Sequence, residues 1–277
     1  MSRTHTKFIN LGLPLASVLV PVYNRQEFIP RTLQSLKDQT YQNCEFIIIN
    51  DGGESAKHLV DAMNDSRFKY FEHDKNKGLA AARNTGLRNS SGEVISLLDS
   101  DDIYNKYALE FRITALQKLK VDVVYTRSLK HIMDRVEGRD GSIGYKIVHT
   151  ELYWNMEFDK DRMLIYNIAP CCCPLITRKA QEDADMWFPE DLDTSEDQYA
   201  WTKLSRKYDF HNLELCDSEC SFVRNSKMNM TGTRNFAKNW IKIYKDFRHT
   251  AINYEWVKNT QNQTLINAGI NPEDYGL

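Results

Sequence analysis

The chain has no excess of charge of either sign and no long hydrophobic run. Its 277 residues include 36 Lys and Arg against 38 Asp and Glu, a formal net charge of −2. No global positive field therefore indicates a nucleic-acid partner. The longest apolar stretch, residues 11–22, is short for a membrane span and contains Pro14 and Pro21. The amino-terminal residues lack the apolar core of a signal peptide, so a cytoplasmic location is expected.

Cysteines with the spacing of a zinc site are also missing. The six cysteines are Cys44, Cys171, Cys172, Cys173, Cys216 and Cys220. Zinc sites usually pair C-x2-C units or add histidines at fixed spacings, and neither pattern occurs here. The sequence therefore favours reduced thiols that pack in the interior as small hydrophobic groups.

Two glycine-rich signatures of phosphate binding are absent as well. The chain contains neither the Gly-x-Gly-x-x-Gly of dinucleotide-binding proteins nor a Walker A sequence. Internal repeats, low-complexity tracts and a calcium-binding loop are not found either. The phosphates of any bound nucleotide are therefore expected to depend on a divalent cation held by acidic side chains.

What the chain does have is a regular alternation of strand and helix in its first half. Short apolar runs rich in β-branched residues recur, with helical patterns between them. The predicted strands are 17–22, 44–49, 68–71, 93–98 and 121–125, and the predicted helices are 27–39, 55–63, 78–89 and 103–118. This rhythm predicts a doubly wound α/β fold with a mostly parallel sheet flanked by helices.

Beyond residue 127 the alternation weakens and a helical extension is expected at the end of the chain. The later predicted elements are a helix at 196–206, a short strand at 219–224 and one long helix at 233–258. One face of the long helix carries aromatic residues and the adjoining face is basic. A basic helix of this kind can make peripheral contact with an anionic membrane surface. Packing of the aromatic face on the rest of the protein is the commoner arrangement. We expect a main domain at 16–231 and an extension at 232–277.

Acidic side chains follow two of the predicted strands. Three carboxylates within four residues, Asp99, Asp101 and Asp102, come directly after the fourth strand, and Asp51 with Gly52 follows the second. Such a cluster repels itself unless a cation or the donors of a ligand lie among the oxygens. Open α/β sheets bind ligands at the carboxyl ends of their strands. The sequence therefore predicts a site for a cation and a polar ligand at this edge.

Taken in order, the motifs resemble those of family 2 glycosyltransferases with the GT-A fold. They are Ser17 to Asn24 (SVLVPVYN), Asp51-Gly52, Asn76-x-Gly78-x4-Arg83-Asn84-x-Gly86, Leu98-Asp99-Ser100-Asp101-Asp102, Phe188-Pro189-Glu190 and Ser195-Glu196-Asp197. The resemblance covers residues 16–231. It implies a Rossmann-like nucleotide-binding sheet and an inverting, metal-dependent transfer of sugar from a nucleoside-diphosphate sugar, UDP-sugar above all. The acceptor would be a saccharide or glycolipid in polysaccharide, lipopolysaccharide or other glycoconjugate synthesis.

The resemblance also implies roles for single residues. The nucleoside pocket would consist of Pro21, Tyr23, Asn24, Glu27 and Asp51. Arg83 would lie near the ribose or diphosphate. In the DxD motif, Asp99 and Ser100 would contact the donor, while Asp101 with Asp102 would bind Mn²⁺ or Mg²⁺. Asp197 would be the general base. Read without the family, Asp197 is equally compatible with an acid at a helix start, and Asp102 with a helix cap.

The sequence departs from the family's pattern at three positions. Asn50 stands where many members have an aspartate, and Ser226 where many have a histidine. Asn229 begins an Asn-Met-Thr triplet where serine is usual. A histidine ligand to the metal is therefore not expected.

Two other functions are compatible with the same residues. One is a sugar-nucleotide-binding module without transfer activity, although the presence of both Asp101 and Asp197 disfavours it. The other is a metal-dependent sugar nucleotidyltransferase, which would release pyrophosphate instead of a nucleoside diphosphate. Those enzymes usually carry a glycine-rich basic loop after the first strand, and Pro21 to Asn24 is not such a loop.

Overall fold

One nine-stranded sheet forms the centre of the molecule. The computed structural model describes residues 12–138, 140–153, 156–224 and 236–277. The strands are β1 Ala16–Val22, β2 Cys44–Asn50, β3 Phe68–Glu72, β4 Val94–Leu97, β5 Ile103–Tyr104, β6 Val123–Glu137, β7 Ile143–Tyr153, β8 Pro174–Thr177 and β9 His211–Val223. Their order is β3-β2-β1-β4-β8-β6-β9-β5, and β7 pairs with β6.

Helices cover the sheet and connect its strands. They are α1 Ile29–Lys37, α2 Lys57–Asp61, α3 Leu79–Asn89, α4 Ala108–Leu119, α5 Lys160–Met163, α6 Arg178–Asp183, α7 Glu196–Ser205, α8 Phe236–Phe247 and α9 Tyr254–Asn267. The alternation predicted for the first half is confirmed, because β1 to β4 and α1 to α4 occur in the predicted order and each overlaps its predicted segment. Helix α4 begins five residues later than predicted, since Ile103–Tyr104 forms β5.

The sheet is parallel on one side and mixed on the other. β3, β2, β1 and β4 pair in parallel, as predicted. β8 is antiparallel to both β4 and β6, β7 is antiparallel to β6, and β5 is antiparallel to β9. The α/β fold is thus confirmed, but the parallel arrangement does not extend beyond β4 except where β6 meets β9. Beyond that point hairpins and long extended strands replace the helical crossovers that parallel neighbours require.

The interior lies against the two central strands. Every residue of β1 and β2 is buried, as expected for strands covered on both faces. Helix α3 packs closely on them at Gly86, where a Cβ atom would lie 3.0 Å from Ile49 Cδ1 and 3.3 Å from Leu19 Cβ. This close approach holds the start of α3 at the carboxyl edge of β1 and β2.

The predicted single helix at 233–258 is wrong. Helix α8 ends at Phe247, a 3₁₀ turn covers Arg248–Thr250, and α9 begins only at Tyr254. The break has a long-range cause, since the backbone N–H groups of Ile252 and Asn253 donate to the Asp161 carboxylate at 2.8 and 2.6 Å. Asn253 then caps α9 by accepting from the Trp256 N–H.

The C-terminal helices pack on the rest of the protein through their apolar faces. The buried residues of this second core are Leu164, Ile241, Ile243, Tyr244, Phe247, Val257 and Leu265. Lys242, on the basic face, lies 3.1 Å from Asp191. Within the described ranges, no helix combines the length and apolar character needed to cross a membrane. The expected domain boundary between residues 231 and 232 lies outside the described residues.

Candidate active site

The loops after β1 and β2 are locked to each other beside the sheet edge. Asn24 has a left-handed φ of 52°, and its side-chain oxygen accepts the N–H of Glu54 at 2.9 Å. A Cβ on Gly53 would lie only 2.6 Å from that oxygen, so glycine permits this approach. Pro21 is buried within β1, whereas the ring of Tyr23 is exposed beside Gly53. The structure therefore leaves Tyr23 accessible at the predicted nucleoside pocket.

Asp51 organises the turn that begins α3. Its Oδ1 accepts the Lys77 N–H at 2.8 Å and lies 2.8 Å from His73 Nδ1, while its Oδ2 accepts the Gly78 N–H at 2.9 Å. Gly52 has a φ of 68°, and a Cβ there would come within 2.1 Å of the Lys75 carbonyl carbon. Contact of Asp51 with a nucleobase stays a prediction. His73 was missed by sequence reasoning, although its place directly after β3 was a signal.

Arg83 on α3 joins two acidic segments that are far apart in the chain. Its Nη2 donates to Asp99 Oδ1 at 2.8 Å, and its Nη1 donates to Glu196. Burial alone would lower the pKa of the guanidinium, but Cys171, Asp99 and Glu196 hold that pKa well above its usual value. Its Nε–H is buried without a partner in the described part of the chain. Arg83 is therefore a fixed positive charge between carboxylates, with one donor left over.

Asn84, the next residue, makes hydrogen bonds to the segment that precedes Glu196 and Asp197. Its Nδ2 donates to the Phe188 carbonyl at 2.8 Å and to Glu190 Oε1 at 2.9 Å. Its Oδ1 accepts the Phe188 N–H at 3.0 Å. The motif that contains Arg83 and the motif that begins at Phe188 are separate in the sequence. In the structure they are in direct contact.

Two adjacent carboxylates begin α7 in different surroundings. Glu196 is buried and paired with Arg83, whereas Asp197 is only half-buried. Burial and the neighbouring Asp197 raise the pKa of Glu196 to about 7 despite the Arg83 charge. Burial also raises the pKa of Asp197 above its usual value, with Asp99 contributing and Arg83 opposing.

Asn167 and a backbone amide hold the Asp197 carboxylate in place. Asn167 Nδ2 donates to Asp197 Oδ2 at 2.8 Å, and the Gln198 N–H donates to Asp197 Oδ1 at 2.8 Å. Sequence reasoning missed Asn167, because it lies 30 residues from Asp197 and belongs to no motif. The contact gives one carboxylate oxygen a fixed orientation at the edge of the site.

The acids after β4 lie in different surroundings. The Arg25 guanidinium lies 3.4 Å from the half-buried Asp101. Burial raises the pKa of Asp101 to about 6, with Arg25 opposing and Asp99 adding to the shift. The Ser100 and Asp102 carbonyls both accept from the Thr32 hydroxyl, at 2.9 and 2.8 Å. This contact anchors the turn on α1.

Asp102, the third acid of the cluster, is buried. Its Oδ1 accepts the Ser221 N–H at 3.1 Å, and burial with the neighbouring Cys172 and Asp101 raises its pKa well above the usual range. A role of Asp102 in capping the following helix finds no support, because α4 begins only at Ala108 and Ile103–Tyr104 forms β5.

The structure therefore gathers several of the predicted site residues at one edge of the sheet. Asp99, Arg83, Glu196 and Asp197 form one group, with Asp101 beside it at the same sheet edge. Glu27 accepts a hydrogen bond from the Tyr145 hydroxyl on β7, and this bond together with burial raises the pKa of Tyr145 to about 12. Ser226 and Asn229, where the sequence departs from the family's pattern, lie outside the described residues.

Three comparisons relate this geometry to known proteins. The family model described as "Glycosyl transferase family 2" matches residues 17–191. An uncharacterised glycosyltransferase of Rickettsia conorii is 30% identical over 210 residues, which are 75% of this chain and 32% of that protein. The Escherichia coli UDP-Glc:alpha-D-GlcNAc-diphosphoundecaprenol beta-1,3-glucosyltransferase WfgD is 36% identical over 112 residues, 40% of this chain and 44% of that protein. The chain thus spans less than half the length of either relative.

A solved structure shares the fold over nearly the whole chain. The crystal structure of Staphylococcus aureus TarS residues 1–349 in complex with UDP-GlcNAc superposes with a TM-score of 0.65 at 18% identity. The match covers 91% of this chain and 72% of that one. At this identity the likeness concerns the fold, while the family match covers the segment from β1 to the acidic turn before α7. The chain therefore belongs to glycosyl transferase family 2.

Proposed function

We propose that the protein transfers a sugar from a nucleoside-diphosphate sugar to an acceptor hydroxyl, with inversion at the anomeric carbon. The observation that carries the proposal is the contact of Arg83 with both Asp99 and Glu196. It brings the acids at the end of β4 within reach of Asp197 at the start of α7. One group of acids can then face the diphosphate of the donor, and the other can face the acceptor.

The oxygen ligands after β4 suit Mn²⁺ or Mg²⁺. Hard divalent cations prefer carboxylate oxygens, and Asp101 is a carboxylate whose pKa burial and Asp99 raise to about 6 even beside Arg25. A cation would offset this surplus of negative charge. As the family resemblance implies, we assign Asp99 to the donor and Asp101 to the metal. Asp102, the second metal ligand that the resemblance implies, is buried and accepts the Ser221 N–H. When bound, the ion would neutralise charge on the departing diphosphate. Arg83 is itself buried, so we expect it to act on the donor through Asp99, which it contacts and orients.

Asp197 is the better candidate base of the two adjacent acids. Glu196 is buried and engaged by Arg83, whereas Asp197 is half-buried and oriented by Asn167. In a single displacement, Asp197 takes the proton of the acceptor hydroxyl as its oxygen bonds to the anomeric carbon. The bond from that carbon to the diphosphate oxygen breaks, and the nucleoside diphosphate leaves with the electron pair. Attack from the opposite face inverts the anomeric centre.

The names of similar proteins support a uridine-diphosphate sugar as donor. WfgD is named as a transferase that uses UDP-Glc, and TarS was crystallised with UDP-GlcNAc. We extend this donor class to the present chain. The acceptor named for WfgD is a lipid-linked sugar, which agrees with the saccharide or glycolipid acceptor proposed here for glycoconjugate synthesis. The apolar face of α8 is buried in the second core, so peripheral contact of this helix with a membrane would have to be made by its basic face.

Donor binding that depends on a metal can be measured by thermal unfolding. With Mn²⁺ present, UDP at about 100 times its Kd should stabilise the chain by about 2.7 kcal/mol. Asp101→Asn removes a charged ligand and should lose most of this UDP-dependent increase in Tm. Asp61→Asn, an exposed acid on α2, serves as control and should keep the increase. An equal UDP-dependent increase in the Asp101 variant would contradict the metal assignment.

The products of the reaction distinguish sugar transfer from nucleotidyl transfer and from binding without turnover. With UDP-glucose or UDP-GlcNAc and Mn²⁺, the proposal requires release of UDP, together with a glycosylated product when a suitable acceptor is added. Release of pyrophosphate would identify a nucleotidyltransferase instead. Binding of UDP-sugar without any turnover on saccharide or lipid-linked acceptors would identify a binding module.

Asn167 is expected to act as a positioning residue for the base. Asn167→Ala removes the hydrogen bond that favours ionised Asp197, so the pKa of that carboxyl should rise further. A hydrogen bond to a charged group is worth about 1.5–3 kcal/mol, which corresponds to roughly a 10- to 150-fold loss of kcat. The acid limb of the rate profile should move to higher pH, while KM for the donor changes little. Asn167→Asp at alkaline pH should not restore the rate, since a second carboxylate cannot donate.

A further inference from the structure

Three segments that are distant in sequence bring thiols and a carboxylate together beneath the proposed donor site. Asp102 follows β4, Cys172 precedes β8, and Cys220 lies on β9. One carboxylate oxygen and the two sulfurs all lie within 4.8 Å of one another. The two sulfurs are 3.4 Å apart. All three residues are at most 9% exposed.

The chemistry and spacing of this cluster suit a thiophilic cation. Zn²⁺ bonds to sulfur at about 2.3 Å, so a tetrahedral ion would place two sulfurs about 3.8 Å apart. The separation of 3.4 Å between Cys172 and Cys220 is within a few tenths of an ångström of that value. Thiolates select zinc and similar ions, whereas Mg²⁺ and Mn²⁺ prefer all-oxygen sites. We propose that Asp102, Cys172 and Cys220 bind Zn²⁺ or a similar ion as a structural site, separate from the cation of the donor.

The surroundings of the cluster can complete and support such a site. The Ser128 hydroxyl lies 3.2 Å from the Cys220 sulfur, and the Ser218 hydroxyl lies 3.5 Å from the Cys172 sulfur. These groups can donate to bound thiolates or to a water molecule in the fourth position, as outer partners of metal ligands commonly do. The Ser221 N–H already orients the carboxylate of Asp102. On binding, the two thiols would release their protons to solvent.

The site would tie the catalytic segments together. Asp102 is adjacent to Asp101, the proposed ligand of the donor's cation. Cys172 is adjacent to Cys171, which lies close enough to Arg83 to raise the pKa of its guanidinium. One ion would therefore join the turn after β4, the segment before β8 and the strand β9. The expectation of purely packing thiols came from sequence spacing, which cannot show that these three segments meet.

Metal content and cobalt spectra of the full chain, prepared without a histidine tag, test this assignment. After incubation with Zn²⁺ and desalting, wild type should retain about one ion per chain. With Co²⁺ in place of Zn²⁺, wild type should show a thiolate-to-cobalt charge-transfer band and strong visible bands of a tetrahedral ion. Cys172→Ser and Cys220→Ser should each lose about half or more of the charge-transfer band. Cys216→Ser, an exposed cysteine on the same strand, should keep the whole signal.

Several outcomes would overturn the proposal. Wild type that retains neither Zn²⁺ nor Co²⁺ has no such site. Loss of the band in Cys216→Ser with retention in Cys172→Ser would place the ion elsewhere. A count of four free thiols instead of six in the denatured, unreduced chain, with Cys172 and Cys220 joined in the same peptide-mapping fragment, would indicate a disulfide in place of the ion. If the variants fail to fold, the wild-type cobalt spectrum still decides, because a spectrum without thiolate ligation contradicts the assignment.

Discussion

Asp197→Asn is expected to lower kcat by about 10²–10⁴-fold, the usual contribution of a positioned base. The amide has the same shape as the carboxylate, and its oxygen can still accept from Asn167. It cannot take a proton from the acceptor hydroxyl. Donor binding should change little, since Asp99, Asp101 and Arg83 are untouched. Initial rates of UDP release with acceptor present, and titration of UDP with Mn²⁺, measure the two effects separately.

A nearby acid provides the matched control for this loss. Asp191→Asn changes an exposed carboxylate six residues earlier, which pairs with Lys242 at 3.1 Å. Its kcat should stay within about twofold of wild type, because surface ion pairs contribute little. If the Asp197 variant keeps near-normal turnover, the base assignment is wrong. If it instead loses UDP binding, the residue belongs to the donor pocket.

The assignment of Asp197 as the base predicts that the acid limb of the pH–rate profile lies at a higher pH than for an ordinary aspartate. Asp197 can accept a proton only when ionised, and its pKa lies above the usual value because of burial and Asp99. As the pH falls through that raised pKa, kcat/KM should fall. Glu196, whose pKa is about 7, takes up a proton in the same pH range. Its protonation leaves the Arg83 charge less neutralised and therefore contributes to the same fall of kcat/KM. A profile that falls only near the ordinary pKa of an aspartate, about 3.9, would contradict this arrangement.

The parts of the fold that follow from local pattern were predictable. The apolar runs of β1 and β2 indicate strands covered on both faces, and both strands are fully buried. The small residues around Gly86 indicate close helix packing, and Gly86 contacts Leu19 and Ile49. Charge repulsion among Asp99, Asp101 and Asp102 predicts a ligand site at the end of β4, and this site stays a prediction. In each case a short window of sequence contains the physical cause.

The parts that depend on distant partners were not predictable. Ile103–Tyr104 reads as the start of a helix, but it forms β5 because β9 offers it a partner strand. The long helix breaks near Ile252 because Asp161 accepts two backbone N–H groups there. The pairing of Arg83 with Glu196 spans 113 residues. Local periodicity contains no information on contacts of this kind, because they stabilise the fold only when distant segments have come together.

Arg83→Met is expected to destabilise the fold by about 3–5 kcal/mol, the usual cost of leaving a buried charge unpaired. The methionine keeps much of the side-chain volume, but Glu196 and Asp99 lose the cation between them. For a chain of this size the loss corresponds to a fall in Tm of roughly 6–20 °C. Arg88→Met serves as control on the same helix, because Arg88 is exposed and stacks 6.0 Å from the Trp187 ring. Its Tm should change by only a few degrees.

A double variant separates lost charge pairing from lost packing. Glu196→Gln in the Arg83→Met background removes the unpaired carboxylate, so the double variant should be more stable than Arg83→Met alone. Two sites in contact are not additive, and their coupling should reach about 0.5–3 kcal/mol. Because the Arg83 charge lowers the pKa of Glu196, that pKa should rise above its wild-type value of about 7 in Arg83→Met, and the destabilisation should shrink as the pH falls toward 7. If the double variant is less stable by the full sum of the single changes at every pH, the contact between Arg83 and Glu196 does not stabilise the site.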